Sequence, residues 1–582
     1  MSTLDENLRQ RAQAWIEGDP DPATRAELQA LVSAATGSPG NEAAAAEIRA
    51  RFAGRLRFGT AGLRAALGAG PMRMNRVVVR QAAAGLVRWL GARPPGTERS
   101  GRGPAVVIGY DARHLSDVFA LDSARVIAAR GGRGMLLPGI VPTPLLAFAI
   151  RRLGADAGIM CTASHNPASD NGYKVYLGDG AQIIAPTDHE IAEAIAAVAA
   201  EGDVAIAPED HPSVVRLDGL TIEAYIEHVA AQALAPYRVS SPRPSPLSIV
   251  YTPLHGVGRD VAVEVLRRAG FPNVDPVVEQ ADPDPDFPTC AFPNPEEPGA
   301  LDLALDQARV TDADLVLAND PDADRLGVAV PAEGGWRILT GNEIGALLGE
   351  HVLGTTTGPD RLVVTTFVSS RLLHRQAEHH GVHFAEVLTG FKWVVRPGMD
   401  NPGRRFVFGY EEALGFSVDA FVRDKDGISA ALAFAGLLAA LRAEDRTVWD
   451  QLEVLSRRHG HHATQSWSVR FDGPEALDRM VKLAGRWRDV APVAVAGRCV
   501  SRVTDMAAGG LLPPTDALVV DLADGGRIVV RPSGTEPKVK FYAEVVVPVA
   551  DSARGYADAR RAGDRALTEI RRGVTDDLDA VS

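Results

Sequence analysis

The sequence predicts an α/β protein of several domains, and three observations carry that prediction. A chain of 582 residues exceeds what one hydrophobic core holds and suggests roughly three to five domains. Apolar strands at 105–109, within 247–258 and within 361–373 each run into a polar or glycine-bearing loop, followed by further strand and helix signals. Their recurrence is the pattern of three related α/β units.

Composition narrows the function. A formal net charge of -13 argues against a general nucleic-acid or membrane-surface binder, while leaving room for a small anionic ligand in a locally positive cleft. Three widely spaced cysteines, Cys161, Cys290 and Cys499, suit a reducing compartment, with Cys161 read as a small buried packing residue. Residues 1–11 are polar and lack an apolar signal core, and no stretch approaches a membrane span, so the expected location is cytoplasmic.

Taken in order, residues 3–53 show helical spacing broken at 18–22 and 37–40, which predicts a helical N-terminal extension packed on the first domain. The loop from Arg57 to Arg64 (RFGTAGLR) is glycine-punctuated and ends in an arginine able to fork onto an anion. A strand at 105–109 leads through Tyr110-Asp111-Ala112-Arg113 to a helix from about Ser116.

The apolar run 157–160 then delivers Thr162-Ala163-Ser164-His165-Asn166-Pro167, where the Asn-Pro turn signal predicts an exposed Ser164 hydroxyl. By itself this reads as an ordinary Ser/Asn/Pro loop, a reading that the downstream motifs reverse. Asn171-Gly172-Tyr173-Lys174 reads as a second turn carrying a cation. The Pro/Ser-rich segment 236–246 reads as an exposed loop.

The strand at 315–318 runs into Asp320, Asp322 and Asp324, whose spacing lets three carboxylates converge on one hard cation. An EF-hand is excluded, because the sixth residue from Asp320 is Arg325 and the twelfth is Pro331. A solvated acidic turn is the alternative, which needs compensation for self-repulsion beside a buried strand.

Further on, Thr389-Gly390-Phe391-Lys392 and Glu411-Glu412 follow strand-like runs, and carboxylates there suit sugar hydroxyls. Lys425-Asp426-Gly427 opens an Ala/Leu-rich helix running to about Leu441. A hairpin turn at Gly525-Gly526 precedes a strand that delivers Arg531-Pro532-Ser533-Gly534-Thr535, a phosphate cradle by composition, with Lys538 and Lys540 on one strand face. His379, His380, His383 and His459, His461, His462 lack zinc-ligand spacing and read as surface histidines.

The loop ending at Arg64, the Thr162–Pro167 loop, Asp320–Arg325, Glu411-Glu412-Ala413 and Arg531–Thr535, in that order, resemble the signature set of the α-D-phosphohexomutase family over about residues 55–545. Phe292–Pro298 and Lys425–Ile428 look like its phosphoglucomutase and phosphopentomutase branch. The resemblance implies three α/β domains with mixed sheets and a C-terminal α+β domain with an antiparallel sheet, arranged around a central cleft. The expected boundaries are 1–216, 217–339, 340–455 and 456–582.

It further implies that Ser164 carries a phosphoryl group and that Mg2+ is held by Ser164, Asp320, Asp322 and Asp324, with Arg325 assisting. Arg64, His165 and Lys174 are implied at the reacting end, where His165, Lys174 and Lys425 are unranked candidates for proton transfer. Thr389, Gly390, Lys392, Glu411 and Lys425 are implied at the sugar, and Arg531, Ser533, Gly534, Thr535 and Lys540 at the distal phosphate.

The reaction so implied converts α-D-glucose 1-phosphate to glucose 6-phosphate, primed by glucose 1,6-bisphosphate, with pentose and mannose phosphates as rival substrates. Ala413 stands where many family members carry Ser, which leaves the choice of sugar open. A silent sugar-phosphate-binding regulator and a metal-dependent phosphatase are the alternatives of other classes. Whether the chain works as a monomer or a dimer is left open.

Overall fold

A computed structural model describes residues 4–37, 41–92, 103–234, 247–471, 476–532 and 538–579; the Pro/Ser-rich segment 236–246 and Ser533, Gly534 and Thr535 lie outside the described residues. The chain forms two compact units, Met1–Leu339 with Gly415–Gly436, and Thr340–Leu414 with Leu437–Ser582.

The first unit begins with the expected helical extension: Glu6–Gly18, Pro22–Thr36 and Glu42–Arg51, with side-chain N-caps from Asp5, Asp21 and Asn41. These helices share a small core that includes Leu8, Leu28, Ile48 and Phe52. Arg51 ties it to the next segment, pairing with Glu27 at 2.6 Å and Glu47 at 2.7 Å while donating to the Ala69 carbonyl at 3.2 Å.

A six-stranded mixed sheet follows, in the order Leu63–Ala66, Asp170–Leu177, Ala157–Cys161, Ala105–Tyr110, Arg133–Leu136, Val214–Arg216. Ala105–Tyr110 is parallel to Arg133–Leu136 and Ala157–Cys161, a pairing that requires crossovers, supplied by helices Ser116–Ala129 and Thr143–Leu153. Cys161 is buried in this core as expected, and burial pushes its thiol well above the ordinary range.

The turn expected at Asn171–Lys174 is instead part of strand Asp170–Leu177. Its Asn-Gly pair is overridden by distant partners: Asn171 Nδ2 donates to the His114 carbonyl at 2.8 Å and to buried Ser116 Oγ at 3.0 Å. The strand then pairs on both sides, with Leu63–Ala66 and Ala157–Cys161.

The second sheet, also mixed, runs Gly335–Ile338, Gly327–Ala332, Leu315–Ala318, Ile249–Thr252, Val274–Pro276. Leu315–Ala318 is buried throughout, which explains its lack of polar alternation.

In the second unit, Arg361–Thr366 pairs in parallel with His383–Val387 and Arg405–Glu411. A fully antiparallel sheet follows, ordered His461–Arg470, Lys538–Val547, Arg527–Pro532, Leu518–Leu522, Arg498–Asp505, Ala494–Val495. Phe367, Val368 and Leu388 pack against Ala517, Val529 and Tyr542, joining the two sheets of this unit.

Beside that apolar seam, buried Glu544 accepts from Ser370 Oγ at 2.7 Å and Arg371 N at 2.9 Å, with His462 Nδ1 2.9 Å away. Burial alone would raise its pKa, but His462, Arg527 and Arg371 outweigh that and hold it at about 2. His462 is therefore no surface residue, because Glu544 draws it inside, where its side chain is 3% exposed. No single helix among the described residues is long and apolar enough to cross a membrane.

Candidate active site

Ser164 occupies the turn after strand Ala157–Cys161, with φ +53°, a left-handed conformation that a non-glycine residue rarely adopts. Its backbone N–H donates to Thr162 Oγ1 at 2.8 Å, which helps hold the turn. The hydroxyl is not exposed, contrary to expectation. Ser164 is 3% accessible because its Oγ donates to Asp320 Oδ2 at 2.7 Å and lies 3.0 Å from His165 Nδ1.

The aspartate loop begins where Leu315–Ala318 ends. Asn319 braces it, donating from Nδ2 to the Arg325 carbonyl at 2.6 Å and accepting from Tyr251 OH at 2.7 Å. Gly256 lies so close that an added Cβ would stand 2.3 Å from Pro321 Cα, so only glycine fits there. Ala323 also takes a left-handed φ of +55°, turning the loop so that Asp320, Asp322 and Asp324 offer oxygens all within 4.8 Å of one another.

All three carboxylates are fully buried. Lys174 Nζ lies 2.6 Å from Asp322 Oδ2 and 2.9 Å from Asp324 Oδ2, and Lys425 Nζ lies 2.8 Å from Asp324 Oδ2. Thr143 Oγ1 also donates to Asp322 Oδ2 at 2.6 Å. Arg325 approaches Asp320 Oδ2 at 3.9 Å and Glu296 at 3.7 Å, while its backbone N–H donates to Asp320 Oδ1 at 3.0 Å.

The carboxyls titrate apart. Burial, then the neighbouring Asp324 and Asp322, push Asp320 well above the ordinary range. Burial acts the same way on Asp322, yet Lys174 and Lys425 overcome it and hold Asp322 far below. Lys174 is the reciprocal case, since burial would lower its pKa but Asp322 and Asp324 raise it. His165 is held well below its usual value by burial, Arg325 and Arg64, so its imidazole is neutral at pH 7.

Asp322 Oδ1 and Asp324 Oδ1 are buried without a hydrogen-bond partner among the described residues. Two orphaned carboxylate oxygens beside a third buried acid are the donor set a hard divalent cation takes, so the residues present fit one. The solvated-turn alternative does not survive the burial of all three acids.

Lys425 reaches this cluster because Asp426 caps the helix Gly427–Ala443, accepting from Ile428 N and Ser429 N at 3.0 Å each. An added Cβ at Gly427 would sit 2.2 Å from the Arg325 carbonyl oxygen, which accounts for glycine there. Arg64 donates to Asn166 Oδ1 at 3.0 Å and so joins the serine loop.

The remaining expected residues belong to the second unit. Gly390, with φ +104°, precedes the short helix Phe391–Val394 that carries Lys392, while Thr389 lies just before it. Glu411 ends strand Arg405–Glu411, and Arg531 is directly opposite Lys540 across adjacent strands. Of the glutamate pair, Glu412 accepts from Ser369 Oγ at 3.1 Å and Thr366 Oγ1 at 3.3 Å.

One residue escaped sequence reasoning. The guanidinium of Arg113 donates to four carbonyls of the serine loop: Ser164 at 2.6 Å, Pro167 at 2.7 Å, Asp170 at 3.0 Å, and Asn166. It lies 4.8 Å over the Phe287 ring. Its position three residues after the strand Ala105–Tyr110 was the only available signal.

Residues 55–201, 223–334 and 340–457 match α/β/α domains I, II and III of phosphoglucomutase/phosphomannomutase, and 479–561 match its C-terminal domain. That succession of domains defines a phosphosugar mutase, an isomerase acting by intramolecular phosphoryl transfer. The chain belongs to the phosphoglucomutase/phosphomannomutase family of the α-D-phosphohexomutase superfamily.

It is 42% identical over 508 residues to the protein named "Probable phosphomannomutase" of Haemophilus influenzae, covering 86% of this chain and 97% of that one. Human phosphopentomutase is 34% identical, with 94% and 93% covered, and Staphylococcus epidermidis phosphoglucomutase 35% identical, with 84% and 90% covered. The fold is shared with a Burkholderia thailandensis phosphoglucomutase/phosphomannomutase family protein at a TM-score of 0.63 and 22% identity, covering 89% of this chain and 98% of that chain.

Proposed function

We propose that this mutase interconverts α-D-glucose 1-phosphate and glucose 6-phosphate, with Ser164 as the transient phosphate carrier and glucose 1,6-bisphosphate as the intermediate and primer. The observation that supports this reading is the 2.7 Å hydrogen bond from Ser164 Oγ to Asp320, inside the aspartate cluster.

Asp320 accepts from Ser164 Oγ at 2.7 Å and is therefore placed to exchange a proton with it as phosphate leaves or returns. Neutral His165, with Nδ1 3.0 Å from Oγ, offers a second acceptor. Lys174, whose charged form Asp322 and Asp324 favour, and Lys425 beside Asp324 serve electrostatically. Arg113 fixes the serine backbone so that Oγ returns to the same place in each half-reaction.

Mg2+ bound by Asp320, Asp322, Asp324 and a Ser164 phosphate oxygen would supply Lewis-acid stabilisation of the transferring group. Charge bookkeeping favours that pairing. Lys174 and Lys425 already face Asp322 and Asp324, so a divalent cation is balanced by the roughly -2 charge of a phosphoserine.

Glu411, Thr389, Gly390 and Lys392 are assigned to the sugar, and Arg531, Ser533, Gly534, Thr535 and Lys540 to the phosphate that is not reacting. The working compartment is the cytoplasm, in keeping with three free cysteines.

Pentose phosphates are the second reading. The relatives named "Probable phosphoribomutase" and phosphopentomutase match 93% and 94% of this chain, against 84% for the staphylococcal phosphoglucomutase. Measuring kcat/KM for glucose, mannose, ribose and deoxyribose 1-phosphates decides between them. Glucose 1-phosphate is expected to lead, and a pentose preference of about a hundredfold would overturn the glucose assignment.

A further inference from the structure

Away from the aspartate cluster, the helical extension and the first α/β domain enclose a cleft of about 990 Å3, near the upper end of the range of small-molecule sites. It shares no residue with the catalytic cluster. One wall is the Trp15–Phe52 edge-to-face pair, with ring centroids 6.1 Å apart.

The cleft lining carries both signs of charge. Arg11, Arg55 and Arg80 line it together with Gln81. Arg80 is committed to Asp122 at 2.9 Å, but Arg11 donates only to the Phe52 carbonyl and Arg55 only to Gln81 Oε1, both at 2.8 Å. Neither Arg11 nor Arg55 has a carboxylate partner among the described residues. Burial without such a partner lowers the Arg55 pKa, so a bound anion would be favoured there. The Trp15 indole Nε1 is buried with no hydrogen-bond partner among the described residues, a further unmet donor in the same wall.

The lining also carries Glu17, Gly18 and Asp203, where Asp203 Oδ1 lies 3.8 Å from the position of a Gly18 Cβ. Arg11 and Gly18 lie on one helix, separated along its axis by about 10 Å. The guanidiniums suit a phosphate, which offers several acceptor oxygens to a fork. The carboxylates accept from hydroxyls and repel a second anion.

We infer that this cleft binds a small organic phosphate monoester, with its phosphate on Arg11 and Arg55 and a hydroxylated body reaching toward Glu17 and Asp203. A nucleoside monophosphate and a sugar phosphate share that chemistry, and the aromatic wall accommodates either body.

Calorimetric titration of the full-length chain with AMP, glucose 6-phosphate and inorganic phosphate tests the inference. The R11Q/R55Q variant is expected to weaken binding of one of the two esters by about tenfold or more, with R11K/R55K intermediate and mutase kcat/KM unchanged in both. Which ester responds identifies the body as nucleoside or sugar. Independence of both esters from the two arginines would overturn it, as would inorganic phosphate binding as tightly as the better ester. The lysine variant keeps the charge and guards against loss of the fold, and an affinity unchanged in both variants counts against the site.

Discussion

Arg113 Nη2 donates to the carbonyl oxygen of Ser164 at 2.6 Å, and the same guanidinium gathers three more carbonyls between Asn166 and Asp170. Lysine cannot reproduce that fork. Arg113→Lys is therefore expected to lower kcat by about a hundredfold, as small misplacement of a reacting atom does, with little change in KM for the sugar phosphate. Steady-state kinetics check this, and an unaltered kcat would remove Arg113 from the positioning role.

Lys174 is the cation shared by Asp322 and Asp324. Lys174→Met keeps much of the length but leaves buried carboxylates short of charge, a change that costs on the order of 3–5 kcal/mol when one partner of a buried pair is lost. The variant should melt earlier than the wild type without metal and recover part of the difference with excess Mg2+. Thermal scans with and without Mg2+ provide the comparison, and equal melting in both conditions would show that no cation reaches these acids.

Cation and phosphoserine should strengthen each other, since each balances the other's charge beside Asp320, and coupling between two bound groups is reciprocal. Mg2+ titration of phosphorylated and dephosphorylated enzyme is expected to show tighter binding to the phosphorylated form by about tenfold, and Ser164→Ala should resemble the dephosphorylated form. Identical affinities would mean that the two sites are independent.

Glu544 gives the second unit a pH dependence. Its carboxyl titrates at about 2 when folded against an ordinary value of 4.5. A depressed folded pKa means that the stabilisation is complete above the unfolded value and is lost as pH falls toward 2; its size is about 3 kcal/mol. Glu544→Gln should therefore destabilise the second unit at pH 7, and its melting difference from the wild type should shrink steadily below about pH 4.5. A difference independent of pH would assign the effect to packing alone.

The most local features of the site were the most legible. Asp320, Asp322 and Asp324 converge because they are two residues apart on one loop, and the Ser164 turn follows directly from the apolar strand before it and Pro167 after it. What failed depended on distant partners. Ser164 was expected to be exposed because nothing near it in sequence reveals Asp320, 156 residues on. Asn171-Gly172 carries a turn signal whose override lies in His114 and Ser116. Arg113 gains its role from carbonyls more than fifty residues away. The return of Gly415–Gly436 to the first unit, which delivers Lys425 to Asp324, leaves no mark in any periodicity.

Whether Ser164 carries phosphate is the claim on which the rest depends. Intact-mass analysis with peptide mapping after exposure to glucose 1,6-bisphosphate tests it most directly. A single phosphoryl adduct on Ser164, absent from Ser164→Ala along with mutase turnover, is the expected result. Sustained turnover with no adduct, or an adduct on another residue, would contradict it.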